Sequence, residues 1–162
     1  MAVLIRLLCW QLGSRLLPGS CALPFVDDTW LFASHGMAAA TGNWYCGLLE
    51  GAEMGFVLHA LRPNELFMDI GANVGSYTVL AAGAVGAKVI AVEPVLSTFE
   101  SLQQNVVLNR LGDRVCCMNI GMGEQVGQLR FTSGLDTINH VLAPGECGKS
   151  VEVDVTTLMI FV

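Results

Sequence analysis

The sequence predicts an α/β fold, a doubly wound parallel sheet of Rossmann-like type, and three observations carry that reading. A buried strand, a glycine turn and a helix start follow one another in Phe67-Met68-Asp69-Ile70-Gly71-Ala72-Asn73-Val74-Gly75-Ser76-Tyr77-Thr78. At such a junction the backbone N–H groups of a helix N-terminus face a nucleotide-like ligand. A second strand, Lys88-Val89-Ile90-Ala91-Val92, ends at Glu93-Pro94. Glu93 therefore stands 22 residues after Gly71, where a doubly wound fold places a carboxylate for ribose hydroxyls. Strands and helices alternate beyond this point, which predicts parallel strands joined by right-handed crossovers.

Taken in order, the chain begins with an apolar stretch, Met1 to Leu17, interrupted by Arg6 and Arg15. Gly19-Ser20-Cys21-Ala22 only approaches a cleavage site, so the stretch reads as an amphipathic helix rather than an export signal. Pro18, Gly19, Pro24, Gly36 and Gly42 make residues 1–43 an irregular N-terminal extension with two short helices. The main domain spans residues 44–162. It opens with a helix from Trp44 to Leu61, where Met54, Val57, Leu58 and Leu61 share a face and Arg62-Pro63-Asn64 ends the run. Gly47, Gly51 and Gly55 weaken that helix.

Leu66 to Ile70 is the first strand of the alternation, Ser76 to Val85 its helix, Gly86-Ala87 a turn, and Lys88 to Val92 the second strand. Ser97 to Leu111 forms the next helix, with Phe99, Leu102, Val106 and Leu111 toward the sheet. Val115 to Ile120 is the third strand. After Gly123, short strands at Gln128 to Thr132 and Val151 to Val155 flank a loop from Ser133 to Ser150. The apolar/acidic alternation of Val151-Glu152-Val153-Asp154-Val155 predicts an antiparallel appendage with one solvated face.

A chain of 162 residues supports one domain. Its 53% hydrophobic content and mean hydropathy of +0.58 fit strands buried on both faces, and equally fit the inner part of a larger domain. The longest apolar run elsewhere, Val79 to Ala87, is far short of the ~18 residues of a membrane span. A net charge of −6, with eight Lys and Arg and no basic cluster, argues against nucleic acid as a partner. The six cysteines form no CxxC pair, and no histidine lies at metal-finger spacing, so no metal is expected. Cys116-Cys117 reads as core thiols in a strand more readily than as a redox pair. Without a disulfide framework the chain suits a reducing compartment, the cytoplasm.

The chemistry sits in the glycine turn. Gly71 permits the turn, Gly75 permits close approach of the helix to the strand or of backbone to ligand, and Asn73 tolerates left-handed angles. The spacing Gly71-x-x-x-Gly75 departs from the dinucleotide pattern G-x-G-x-x-G, and Asp69 stands where that pattern has an apolar residue. A pyrophosphate therefore matches less well than a ligand with a cationic or amino-acid end. Asp69 and Glu93 also admit a plainer role, as strand-end polar residues that cap nearby helices.

Asp69 to Thr78, with Val92-Glu93-Pro94 and Asn105 to Asn109, resembles the FkbM family of S-adenosylmethionine-dependent methyltransferases, whose fold is of the class I methyltransferase type. Asn119-Ile120-Gly121-Met122-Gly123-Glu124, Gly127 and, more loosely, Val153 to Leu158 extend the likeness, which runs from about Tyr45 to Leu158. The resemblance implies S-adenosyl-L-methionine as cofactor. Asp69, Gly71, Ala72, Asn73 and Gly75 would wrap its methionine portion and ribose, and Tyr77 and Thr78 would reach its carboxylate end. Glu93 would accept the ribose hydroxyls and Pro94 would shape the adenine pocket. It further implies O-methylation of a hydroxyl on a small molecule or saccharide, with the general base unassigned.

Family members continue past the T-L stretch with a K-x-D-x-E-G strand that this sequence lacks, which implies an incomplete sheet. In the common sheet order that strand borders Leu66 to Ile70, so an open apolar edge and self-association are expected. The rival reading is a non-catalytic fragment or interaction module that keeps a cofactor half-site; a nicotinamide-binding fragment is disfavoured by the glycine spacing and Asp69. Among other polar residues, Asn105 and Asn109 read as surface and cap positions, and Asp27-Asp28 as a turn or cap. His35, His59 and His140 have no partners at ligand spacing, and Trp30, Trp44 and Tyr45 fit core packing better than a pocket wall. Asp136 is a candidate for approach to an acceptor.

Overall fold

The structure, a computed structural model, describes residues 2–16, 19–133, 139–143 and 145–161. Asp136 lies outside the described residues. Three short apolar strands, β3 (Leu66–Ile70), β4 (Lys88–Val92) and β5 (Val115–Met118), form a parallel sheet in the order β3-β4-β5. Leu66 pairs with Lys88 and Val89 with Val115, so the predicted alternation is realised with β4 at the centre. Val89, Ala91 and Val92 of β4 are buried, as a strand covered on both faces requires. The crossovers are α4 (Ser76–Val79), which continues as a π-helix over Leu80–Val85, and α5 (Leu96–Leu108). Phe99, Leu102 and Val106 of α5 are buried, at the positions where helical periodicity aims them.

The third strand is shorter than expected. It stops at Met118, and the Asn119 side chain donates to the carbonyls of Glu93 and Pro94, at 2.8 and 3.0 Å, which binds the end of β5 to the end of β4. The chain then starts a second sheet of β6 (Gly121–Met122), β7 (Gly127–Thr132) and β8 (Ser150–Thr156), ordered β6-β8-β7. β7 and β8 are antiparallel, while β6 runs parallel to β8. Val153 and Val155 are buried, and Glu152 and Asp154 face solvent.

The N-terminal region departs most from expectation. After α1 (Ala2–Leu16) comes an antiparallel hairpin, β1 (Cys21–Pro24) and β2 (Trp30–Ala33), where an irregular extension with two short helices was expected. The turn closes because Phe25 N–H donates to the Thr29 carbonyl at 2.9 Å and the Thr29 hydroxyl to the Val26 carbonyl at 2.6 Å. Leu31 and Ala33 then join Trp10 in the same hydrophobic core as the parallel sheet.

The helix expected from Trp44 to Leu61 is two helices, α2 (Ala38–Cys46) and α3 (Gly51–Ala60). Asn43 makes the break: its side-chain oxygen accepts Leu49 N–H at 2.9 Å while its carbonyl accepts Gly47 N–H at 2.7 Å. All six cysteines are free thiols. Half-buried Cys117 packs against the core, as expected of a core thiol, whereas Cys116 is exposed, because neighbouring residues of a strand face opposite sides and edge strand β5 keeps one side open. Among the described residues no helix is long and apolar enough to cross a membrane.

Candidate functional site

β3 and β4 are parallel and in register, so their carboxyl ends bring Ile70 and Val92 side by side. The chain leaves β3 by hooking onto β4: Gly71 N–H and Ala72 N–H both donate to the Val92 carbonyl, each at 2.9 Å. Gly71 takes φ +78° and Asn73 φ +52°, left-handed values that glycine adopts freely and asparagine tolerates. The next residue after Val92 is Glu93, whose carboxylate accepts Asn73 N–H on one oxygen and Val95 N–H on the other, both at 2.9 Å. Glu93 is thus the strut between the glycine turn and the start of α5, and each of its oxygens keeps a lone pair for a ligand.

A cleft of about 480 Å³ opens over these strand ends, within the size range of small-molecule sites. Asp69, Gly71, Ala72, Asn73, Tyr77, Glu93 and Pro94, all expected at a cofactor site, line it. A Cβ at Gly71 would meet nothing within 4 Å, so the turn faces open space that a ligand can fill. Asp69 is 8% and Glu93 5% exposed. Burial pushes both carboxyls above the usual carboxylate range; hydrogen bonds from Thr78 partly offset this for Asp69, and backbone N–H groups of Val95 and Asn73 do so for Glu93.

Two of the expected residues stand behind the site. Thr78 is fully buried and donates its hydroxyl to Asp69, so it orients that carboxylate and does not reach the cleft. The helical turn after Gly75 aims Thr78 inward and Tyr77 outward, which sequence spacing alone does not distinguish. Gly75, at φ +90°, packs against α5: a Cβ there would sit 2.6 Å from Leu102 Cδ1. The close approach that Gly75 permits is thus to helix α5, where an approach of helix to strand was expected.

Several lining residues carried no signal in the sequence. Glu50, just before α3, enters the cleft and accepts a hydrogen bond from the Tyr77 hydroxyl at 2.7 Å. Burial and the Glu50 carboxylate together raise the Tyr77 pKa, so the phenol stays protonated as donor. Asn43, 2% exposed, joins the wall and donates to Ser76 Oγ at 3.1 Å. Phe131 and Asn139 reach in from β7 and the loop after it. Only the packing of α2, α3 and the second sheet over the strand ends brings these residues there.

Other expectations resolve locally. Asn105, expected at the surface or as a cap, is instead buried and clamps β2, whereas Asn109 caps the C-terminus of α5 as expected and clamps β2 as well. Asn105 Oδ1 accepts Phe32 N–H and Asn105 Nδ2 donates to the Val74 carbonyl, both at 2.7 Å. Asn109 accepts Trp30 N–H at 2.8 Å and donates to the Trp30 carbonyl at 2.7 Å. Trp44 and Tyr45 pack against the core, whereas Trp30 is 43% exposed. His35 and His59 are exposed, and His140 pairs with Glu146 at 3.0 Å. Among the described residues no group of three or more His, Cys, Asp or Glu could hold a metal.

No family model matches the chain, and no curated protein matches it. Solved structures do. TYW2 of Pyrococcus horikoshii, in complex with MeSAdo, aligns at 24% identity and TM-score 0.50, over 63% of this chain and 36% of that one. A Pyrococcus horikoshii structure described as that of a transferase aligns at 23% identity and TM-score 0.51, over the same shares of the two chains. The SAM-dependent methyltransferase from Agrobacterium tumefaciens aligns at 18% identity and TM-score 0.50, over 65% of this chain and 33% of that one. The fold is therefore a mixed α/β arrangement like that of SAM-dependent methyltransferases, and the chain spans about a third of the length of these neighbours.

Proposed function

We propose that the cleft binds S-adenosyl-L-methionine and that the chain carries the cofactor half-site of a methyltransferase. The observation that carries the proposal is the charge of the cleft: Glu50, Asp69 and Glu93 line it, and no Lys or Arg does so among the described residues. Buried carboxylates without a cationic partner are costly, and a cationic ligand offsets that cost. S-adenosylmethionine is such a ligand, with a sulfonium and an ammonium; a pyrophosphate would add like charge. The fit extends to the turn, where open space in front of Gly71 admits close approach.

On this reading Glu93 takes the ribose hydroxyls on its free lone pairs, Pro94 borders the adenine, and Asp69, Asn73 and Tyr77 face the amino-acid end. The cofactor, when bound, supplies an electrophilic methyl group on sulfur. The chain's own contribution is placement, holding that group in line with an acceptor and excluding water from the cleft. The FkbM resemblance, carried by Asp69 to Thr78 and Val92 to Pro94, adds an acceptor class, a hydroxyl on a small molecule or saccharide. No described side chain is assigned as the general base.

Calorimetric titration with S-adenosylhomocysteine, with NAD as control, tests the half-site. The expected result is saturable binding that weakens at least about tenfold in Asp69→Ala and Glu93→Ala, the scale of a lost charge-assisted contact. Saturable NAD binding, or no binding by a folded chain, would overturn the reading.

A second reading has its own observation in β3. β4 occupies one side of β3, and among the described residues nothing pairs with the other, where Leu66 is 60% and Ile70 47% exposed. An open apolar edge of this kind accepts a strand from another chain. The chain would then act as an interaction module or self-associate. Light scattering at tens of micromolar should give a mass above that of the monomer; a sharp monomer would count against this reading.

A further inference from the structure

The second sheet sends one large apolar side chain into the cleft. Phe131, in β7, lines the cleft, is half-buried and stands outside the hydrophobic core around the parallel sheet. Its backbone is held from both sides, paired with Val151 of β8 and bridged to Val141. The flanking residues tighten this hold: Thr132 N–H donates to the His140 carbonyl at 2.8 Å and Leu142 N–H to the Arg130 carbonyl at 2.7 Å. The ring is therefore fixed before any ligand arrives, which lowers the ordering cost of binding.

The neighbours of Phe131 show which end of the cleft it closes. Asn119 ties the end of β5 to the carbonyls of Glu93 and Pro94. Gly121, two residues on, opens β6, and a Cβ built there would lie 3.5 Å from Phe131 Cε2. The ring thus enters beside the segment that Asn119 holds against Pro94. β4 separates β5 from β3, so Asp69, within β3, lies across the sheet from that entry. Among the described residues that line the cleft, the aromatic rings are Phe131 and Tyr77, and the Tyr77 hydroxyl is committed to Glu50. A nucleobase is flat and uncharged, so the carboxylates of the cleft offer it little, whereas an aromatic face stacks on it.

We propose that Phe131 closes the adenine end of the cleft by stacking on the base that Pro94 borders, which makes the second sheet part of the cofactor site. The proposal rests on the half-site reading above and adds to it a positioning residue that no local motif marks. Calorimetry with S-adenosylhomocysteine and 5′-methylthioadenosine tests it. Phe131→Ala should weaken both ligands alike, by about tenfold, since both carry the base. Phe131→Tyr, which keeps the ring, should bind both within about twofold of the unsubstituted protein, while apolar but non-planar Phe131→Leu should stay weakened. Phe131 lies outside the main core, so thermal melts should show all three variants folded. Full binding by Phe131→Leu would overturn the proposal, because simple packing would then suffice. So would Phe131→Ala that binds normally, or that loses S-adenosylhomocysteine alone. In those cases the half-site reading stands; a folded, unsubstituted chain that binds neither ligand would overturn both.

Discussion

Asn105 is the residue whose removal tests the architecture of the site most directly. Its side chain is fully buried and joins three parts of the chain: α5, which carries it, β2 through Phe32 N–H, and the glycine turn through the Val74 carbonyl. Asn105→Ala leaves both backbone groups without a partner. A buried unsatisfied group costs about 1–3 kcal/mol. Val74 is 1% exposed and belongs at the upper end, while half-buried Phe32 belongs at the lower end. The loss is about 2–4 kcal/mol, a large share of the 5–15 kcal/mol that holds a typical domain. For a chain of this length that corresponds to a fall in Tm of roughly 5–15 °C.

The control is Asn109→Ala, one helical turn away, which breaks two similar bonds to Trp30 where water can replace them and should cost under about 1 kcal/mol. Asn105→Asp separates the two bonds. It keeps the acceptor for Phe32 N–H but sets an oxygen against the Val74 carbonyl, so it should lie near the alanine variant. Urea denaturation monitored by tryptophan fluorescence measures all four proteins. An Asn105→Ala midpoint equal to that of Asn109→Ala, or within about 0.5 kcal/mol of the unsubstituted protein, would refute the role of Asn105 as clamp.

Gly75→Ala should destabilise by about 2–3 kcal/mol in thermal melts, because φ is +90° and the new Cβ would lie 2.6 Å from Leu102, itself fully buried. Asp69 and Glu93 are harder to ionise folded than unfolded, from ordinary values of 3.8 and 4.5, so their stabilising contribution is fully present below those values and is lost as pH rises through the higher folded pKa values. Unfolding free energy without ligand should therefore fall across that rise, and Asp69→Asn should flatten the slope. Glu50→Gln removes the carboxylate that Tyr77 positions, so calorimetry should find S-adenosylhomocysteine weakened about tenfold and 5′-methylthioadenosine, which lacks the amino-acid end, unchanged.

The parallel sheet and the glycine turn are legible in the chain because their determinants are local. The apolar runs of Leu66 to Ile70 and Lys88 to Val92, the helical spacing of Phe99, Leu102 and Val106, and the Gly71 turn each state their conformation within a few residues. Glu93 is legible for a related reason, since parallel strands in register place the residue after β4 beside the turn after β3. The hairpin of β1 and β2 is not. Its four-residue strands are too short to carry a period, and it is held by Asn105 and Asn109, 73 and 79 residues along the chain from their partners.

The same division runs through the site. Thr78 and Tyr77 are neighbours in sequence, yet one supports Asp69 from behind and the other meets Glu50 across the cleft. Glu50 itself lay unmarked within the single helix expected from Trp44 to Leu61. By itself the sequence determined the α/β alternation, the turn and the two buried carboxylates, because backbone geometry and periodicity act over one or two turns of chain. Tertiary structure alone decided which side chains face the cleft and which stand behind it. Those outcomes depend on packing between segments far apart in the chain, and no local pattern encodes that packing.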